Sequence, residues 1–113
     1  MEILKLLDKY SFVKDYEVLD YKRWHLGYYL SLKIILQNNS SLFTKEYVSE
    51  KERNYSYHWQ NVSGKLIIRW DNAPHHKHVK TFPHHKHVHG SISESTEMGM
   101  KDILNFIAKE LEK

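Results

Sequence analysis

The chain has no cysteine in its 113 residues. That excludes a disulfide framework and a thiolate zinc site, and a cytoplasmic protein is the natural expectation. Glycine and proline are scarce, with four and two copies, and no Gly/Ser-rich linker divides the chain. Residues 1–113 are therefore expected to form a single domain around one core. No apolar run approaches the ~20 residues that cross a bilayer, so no membrane partner is expected. The opening MEILKLLDKYSF carries acidic side chains and no small-residue cleavage site, which argues against a signal peptide.

The two prolines open the same phrase. Pro74-His75-His76-Lys77-His78-Val79 is followed by Pro83-His84-His85-Lys86-His87-Val88, and seven of the nine histidines lie between residues 74 and 90. Acidic residues are sparse in this region. Residues 51–89 carry seven basic and two acidic side chains, net +5, whereas residues 1–50 balance seven against seven. A basic, aromatic, histidine-rich middle suits a phosphate-bearing partner; a solvated face without a partner is the plainer explanation.

Hydrophobic spacing sets the expected elements. Ile3, Leu6, Leu7 and Tyr10 fit a short N-terminal helix. Residues 26–38 alternate Tyr28, Leu30, Leu32, Ile34 and Leu36 with Tyr29, Ser31, Lys33, Ile35 and Gln37, the clearest strand in the chain. A further strand follows the Asn38-Asn39 turn. In 53–71 a two-residue turn at Ser63-Gly64 would pair Val62 with Lys65. That register sets Trp59 opposite Ile68 and Tyr57 opposite Trp70 on a core face. It sets His58 opposite Arg69 and Ser56 opposite Asp71 on the other face, a polar row with no packing purpose. Met100, Ile103, Leu104, Ile107, Ala108 and Leu111 form a helical stripe, with the helix expected to begin near Ser95 or Thr96, and Glu94 and Glu97 near its positive end. The fold class is α+β. A twisted antiparallel meander of about five or six strands is covered by the C-terminal helix and a short N-terminal one.

Three readings suit the histidines. Two imidazoles can act as acid and base on RNA, with a cation meeting the charge on phosphorus. Arg69, His58, His84, His85 and His87 are the candidate catalytic residues, and Lys77, Lys80 and Lys86 the candidate RNA-binding ones. An extended 84–89 segment projects His85, His87 and His89 from one face. With His76 they could instead ligate zinc or another divalent metal, although no zinc-finger or HExxH spacing is present. In the third reading the histidines belong to a soluble loop bonded to its own backbone. Asp71 is read as a cap for the following turn, or as half of a surface ion pair with Arg69.

YSYHWQ (55–60), LIIRWDNAPHH (66–76), TFPHHKHV (81–88), the acidic step at Glu94–Glu97 and the closing helix resemble the TumE family of toxins from toxin–antitoxin pairs. The resemblance covers about residues 42–110 and carries over no catalytic residue. It implies a small cytoplasmic prokaryotic protein paired with a cognate antitoxin that has a helix-turn-helix domain. The leading expectation is a toxin-like, RNA-binding or ribonuclease protein with a histidine-rich site, a metal-independent endoribonuclease if it is an enzyme, and no cofactor. A histidine-ligated metal-binding protein and a non-enzymatic basic interaction module are the alternatives.

Overall fold

In the computed structural model, which describes residues 2–113, every strand joins one antiparallel sheet whose order follows the chain. The strands are β1 (Val13–Trp24), β2 (Gly27–Leu36), β3 (Ser41–Val48), β4 (Arg53–Gln60), β5 (Leu66–Asp71), β6 (His85–Val88) and β7 (Ser91–Glu94). Helix α1 (Glu2–Leu7) precedes them and α2 (Met100–Leu111) follows. The α+β meander agrees with the sequence; the sheet has seven strands rather than five or six. No helix among the described residues is long and apolar enough to cross a membrane.

Alternation decides which face is covered. Leu30, Leu32, Ile34 and Leu36 of β2, Leu42 of β3, Tyr57 and Trp59 of β4 and Trp70 of β5 are buried with Leu7 of α1 and Met100, Ile103, Leu104 and Ile107 of α2. Both helices thus pack on one face, and the intervening side chains point to the open face. Trp59 pairs with Ile68 and Tyr57 with Trp70, as the expected register requires. The turn itself differs. Gln60 pairs with Leu66 through a register shift, and the loop spans residues 61–65, closed by Asn61 N–H to the Lys65 carbonyl at 2.9 Å. Asn61 Oδ1 accepts from the Ser63 and Lys65 amides, and Gly64 takes φ +87°. A bulge therefore absorbs the extra residue without disturbing the inner pairs.

The C-terminal helix starts at Met100, the first residue of its stripe, and not near Ser95 or Thr96 as expected. Other elements capture the preceding amides. Thr81 Oγ1 accepts from Ser95 N–H at 3.0 Å, the Tyr55 hydroxyl accepts from Met98 N–H, and Arg53 donates to the Met98 carbonyl at 2.8 Å. Asp102 Oδ2 then accepts from Gly99 N–H at 2.8 Å and opens the helix. Arg53 also meets Glu97 and the buried Glu46, so Glu97 serves an ion pair rather than a helix end. Glu46 accepts from the Tyr57 and Tyr28 hydroxyls. Burial first, and the Glu46 carboxylate second, push the Tyr28 hydroxyl up to about 12 and the Tyr57 hydroxyl higher still.

Gly27 opens β2 where the backbones crowd. A Cβ there would lie 1.9 Å from the Val48 carbonyl oxygen and 2.7 Å from Trp24 Nε1. Gly27→Ala is therefore expected to destabilise the protein by about 1–3 kcal/mol, the usual scale of overpacking. A urea titration checks this, and an unchanged midpoint would show that β2 and β3 can part there at no cost.

Candidate functional site

Two rows of side chains cross the open face at right angles to the strands. Successive pairings give Lys45–Ser56–Asp71–His85 as one row and Phe43–His58–Arg69–His87 as the next. Directly opposed residues in antiparallel strands hold their Cβ atoms about 4.5–5.5 Å apart, so each row is a line of touching groups. The first row, with Arg69 and His87 of the second, forms the floor of a cavity of about 630 Å³, whose rim includes Tyr29, Tyr47, Asn54, His75 and His76. A smaller hollow, lined by Phe43, Lys45, Ser56, His58, Gln60 and Arg69, continues along the floor.

The loop between β5 and β6 forms one wall. Asn72 ties its start to β4, accepting from Tyr55 N–H at 2.9 Å and donating to the Arg53 carbonyl at 2.7 Å. Short turns then run from His76 to His84, and Val79 is buried as the apolar anchor. This wall is the first copy of the histidine phrase. The second copy continues into strand β6. His76 is thereby brought to His85 and His87, with ring centroids 4.8 and 5.6 Å away; those of His85 and His87 are 5.0 Å apart.

Asp71 is the hub. It is 5% exposed, so the ion pair with Arg69, one of the two readings from sequence, forms with a buried carboxylate and not as a plain surface pair. Oδ1 accepts from Ala73 N–H at 3.0 Å, which is the expected turn cap, and also lies 3.0 Å from His85 Nε2. Oδ2 accepts from Arg69 Nε at 3.1 Å and lies 3.5 Å from His87 Nε2. His85 is 2% exposed, and its Nδ1 lies 2.9 Å from the Pro83 carbonyl. A carbonyl cannot donate, so Nδ1 carries a proton and Nε2 faces the carboxylate. Burial lowers the pKa of His87, against a raising contribution from Asp71; His85, His76 and Arg69 lower it further. His87 therefore holds a free lone pair at neutral pH. Burial also lowers the pKa of His58, whose Nε2 meets Gln60 Oε1 at 3.1 Å and whose Nδ1 lies 3.5 Å from Arg69. His58 thus braces the guanidinium.

Of the residues singled out from sequence, His58, Arg69, His85 and His87 share the floor and His76 joins them from the loop. His84 points the other way, stacking on Tyr55 with its Nδ1 2.8 Å from the Tyr55 hydroxyl. His89 leaves the histidine face because it takes φ 52° beside Gly90 in the β6–β7 turn. Lys77 and Lys80 are exposed on the loop, and Lys86 alternates to the face opposite His85 and His87. The cations that do face the cavity are Lys45 and Arg69. Lys45 was missed, although it shares a face with Phe43 and Tyr47 and alternates with the buried Thr44 and Glu46 in β3, which marks it as open-faced. The two remaining floor groups, Asp71 and Ser56, were paired correctly, but nothing local in the sequence showed that Asp71 is buried.

Searches of curated proteins and of solved structures return no match. The family model described as Toxin TumE matches residues 3–111, nearly the whole chain, including the N-terminal strands that lie outside the resemblance over 42–110. The chain belongs to the TumE toxin family, the toxin side of a toxin–antitoxin pair.

Proposed function

We propose that this toxin cleaves RNA at the open face of the sheet. One observation supports the reading above the rest: His76, His87, Arg69 and Lys45 converge on a single cavity of about 630 Å³, within the ~300–1,000 Å³ typical of ligand clefts. His87, held neutral, takes the proton from a ribose 2′-hydroxyl. The 2′-oxygen attacks phosphorus, the P–O5′ bond breaks, and His76 in its protonated form gives the departing 5′-oxygen its proton. Arg69 and Lys45 meet the charge that builds on the phosphoryl oxygens. His85 is a positioning residue, fixing Asp71, which orients His87 and Arg69. Tyr29 and Tyr47 on the rim offer stacking surfaces for unpaired bases. The partner antitoxin is proposed to carry a helix-turn-helix domain, as the family resemblance implies.

The products identify the chemistry. The purified chain, treated with EDTA, is expected to cut single-stranded RNA to 2′,3′-cyclic phosphate and 5′-hydroxyl ends and to leave DNA of the same sequence intact. Mass spectrometry of the fragments checks this. DNA cleavage, or 3′-hydroxyl ends, would show a reaction that does not pass through the 2′-oxygen.

A further inference from the structure

The geometry points to a divalent transition-metal site formed by His76, His85 and His87 with Asp71 beside it, occupied reversibly and exclusive of RNA cleavage. One ring nitrogen from each of the three histidines lies within 4.8 Å of the others, and Asp71 adds carboxylate oxygens 3.0 Å from His85 Nε2 and 3.5 Å from His87 Nε2. Three imidazole nitrogens with a fourth position open to solvent are a donor set that suits an ion such as Zn²⁺, and the Asp71 carboxylate lies close enough to balance its charge. The supporting contacts are those of a built site. The Pro83 carbonyl accepts from His85 Nδ1 at 2.9 Å, which fixes the tautomer that turns the Nε2 lone pair inward. Two electron-rich atoms, His85 Nε2 and Asp71 Oδ1, then face each other in a buried place. A proton between them, or a cation held beside them on the histidine nitrogens, balances the carboxylate. No buried side-chain polar atom among the described residues lacks a partner.

The site also separates this cluster from a merely histidine-rich tract. His78, His84 and His89 belong to the same phrase but stand outside the trio, so they should be dispensable. Occupancy should silence the toxin, because an imidazole whose lone pair is on a metal neither takes nor gives a proton. That consequence rests on the ribonuclease reading; the binding itself does not.

The test is titration of the full chain with Zn²⁺ against a chromophoric chelator, with Co²⁺ absorption reporting the coordination geometry. One Zn²⁺ per chain is expected. His76→Ala should weaken it by about 10–100-fold, while His78→Ala and His89→Ala bind like the parent protein. His76 lies on the loop, so its replacement leaves the sheet intact, and circular dichroism verifies this. Absence of stoichiometric binding, or equal losses in all three variants, overturns the site. If Zn²⁺ binds but raises cleavage, the claim that metal and cleavage exclude each other fails. A chain that binds Zn²⁺ but cuts no RNA under any condition removes the ribonuclease reading and leaves the metal site standing.

Discussion

His87→Ala is expected to lower RNA cleavage by at least about a hundredfold, the usual scale for losing one acid–base group. His87 is the floor imidazole best placed as the base. It is partly exposed to the cavity, its pKa is depressed chiefly by burial, and it faces the oriented carboxylate of Asp71 at 3.5 Å. Its removal should barely affect stability, since that contact is long and the ring remains partly solvated. His76→Ala should show a loss of similar size, because the acid then has no substitute within reach. His84→Ala is the control: it sits on the opposite face against Tyr55 and should keep full cleavage. If His87→Ala and His76→Ala both retain activity while His84→Ala loses it, the reaction centre lies on the other side of β6 and the mechanism above is wrong.

Asp71→Ala should be the most damaging single change to the fold among the site residues, at about 3–5 kcal/mol. Removing a buried carboxylate leaves the groups paired with it unsatisfied. Here it strands His85, which has almost no solvent contact, frees Arg69, and removes the acceptor for Ala73 N–H. The loop that carries His76 begins at that turn, so cleavage should vanish as well. Asp71→Asn keeps the shape and the turn cap and should cost less, which separates loss of charge from loss of volume. Denaturant unfolding of both variants checks the ranking. A cost below about 1 kcal/mol for Asp71→Ala would mean that the carboxylate is solvated and not the hub described here.

The floor of the site was legible because it is written in alternation. Tyr57, Trp59 and Trp70 are large and apolar, and with one face so committed, His58, Arg69 and Asp71 had to share the other. The expected two-residue turn opens into a loop over residues 61–65, yet the inner pairs survived, because a one-residue slip would have turned aromatic rings into solvent. The burial of Asp71 was not legible. Whether a strand-end carboxylate is wet depends on what folds over it, and that cover comes from residues 72–76 and from β6, joined through Asn72 and a loop of irregular turns. Lys45 went unnoticed for the related reason that β3 meets the histidines only across β4 and β5.

The repeated phrase marks the boundary most clearly. Sequence by itself determined that both copies would be basic, histidine-bearing and bounded by proline, and that the meander before them would have one aromatic face and one polar face. It could not decide that Pro83–Val88 would supply a strand while Pro74–Val79 became a wall of turns, since the two copies are identical in residue type. Tertiary contacts made that choice. Asp71 caps Ala73, and Asn72 clamps the backbone of β4, so the chain leaves β5 too abruptly for the first copy to pair back. The second copy arrives along the free edge of β5, where Ile68, Arg69, Trp70 and Asp71 meet Val88, His87, Lys86 and His85. Backbone groups at an open edge need partners, and the first segment that reaches them in antiparallel register takes them; the other copy is left to bring its histidine in from the side.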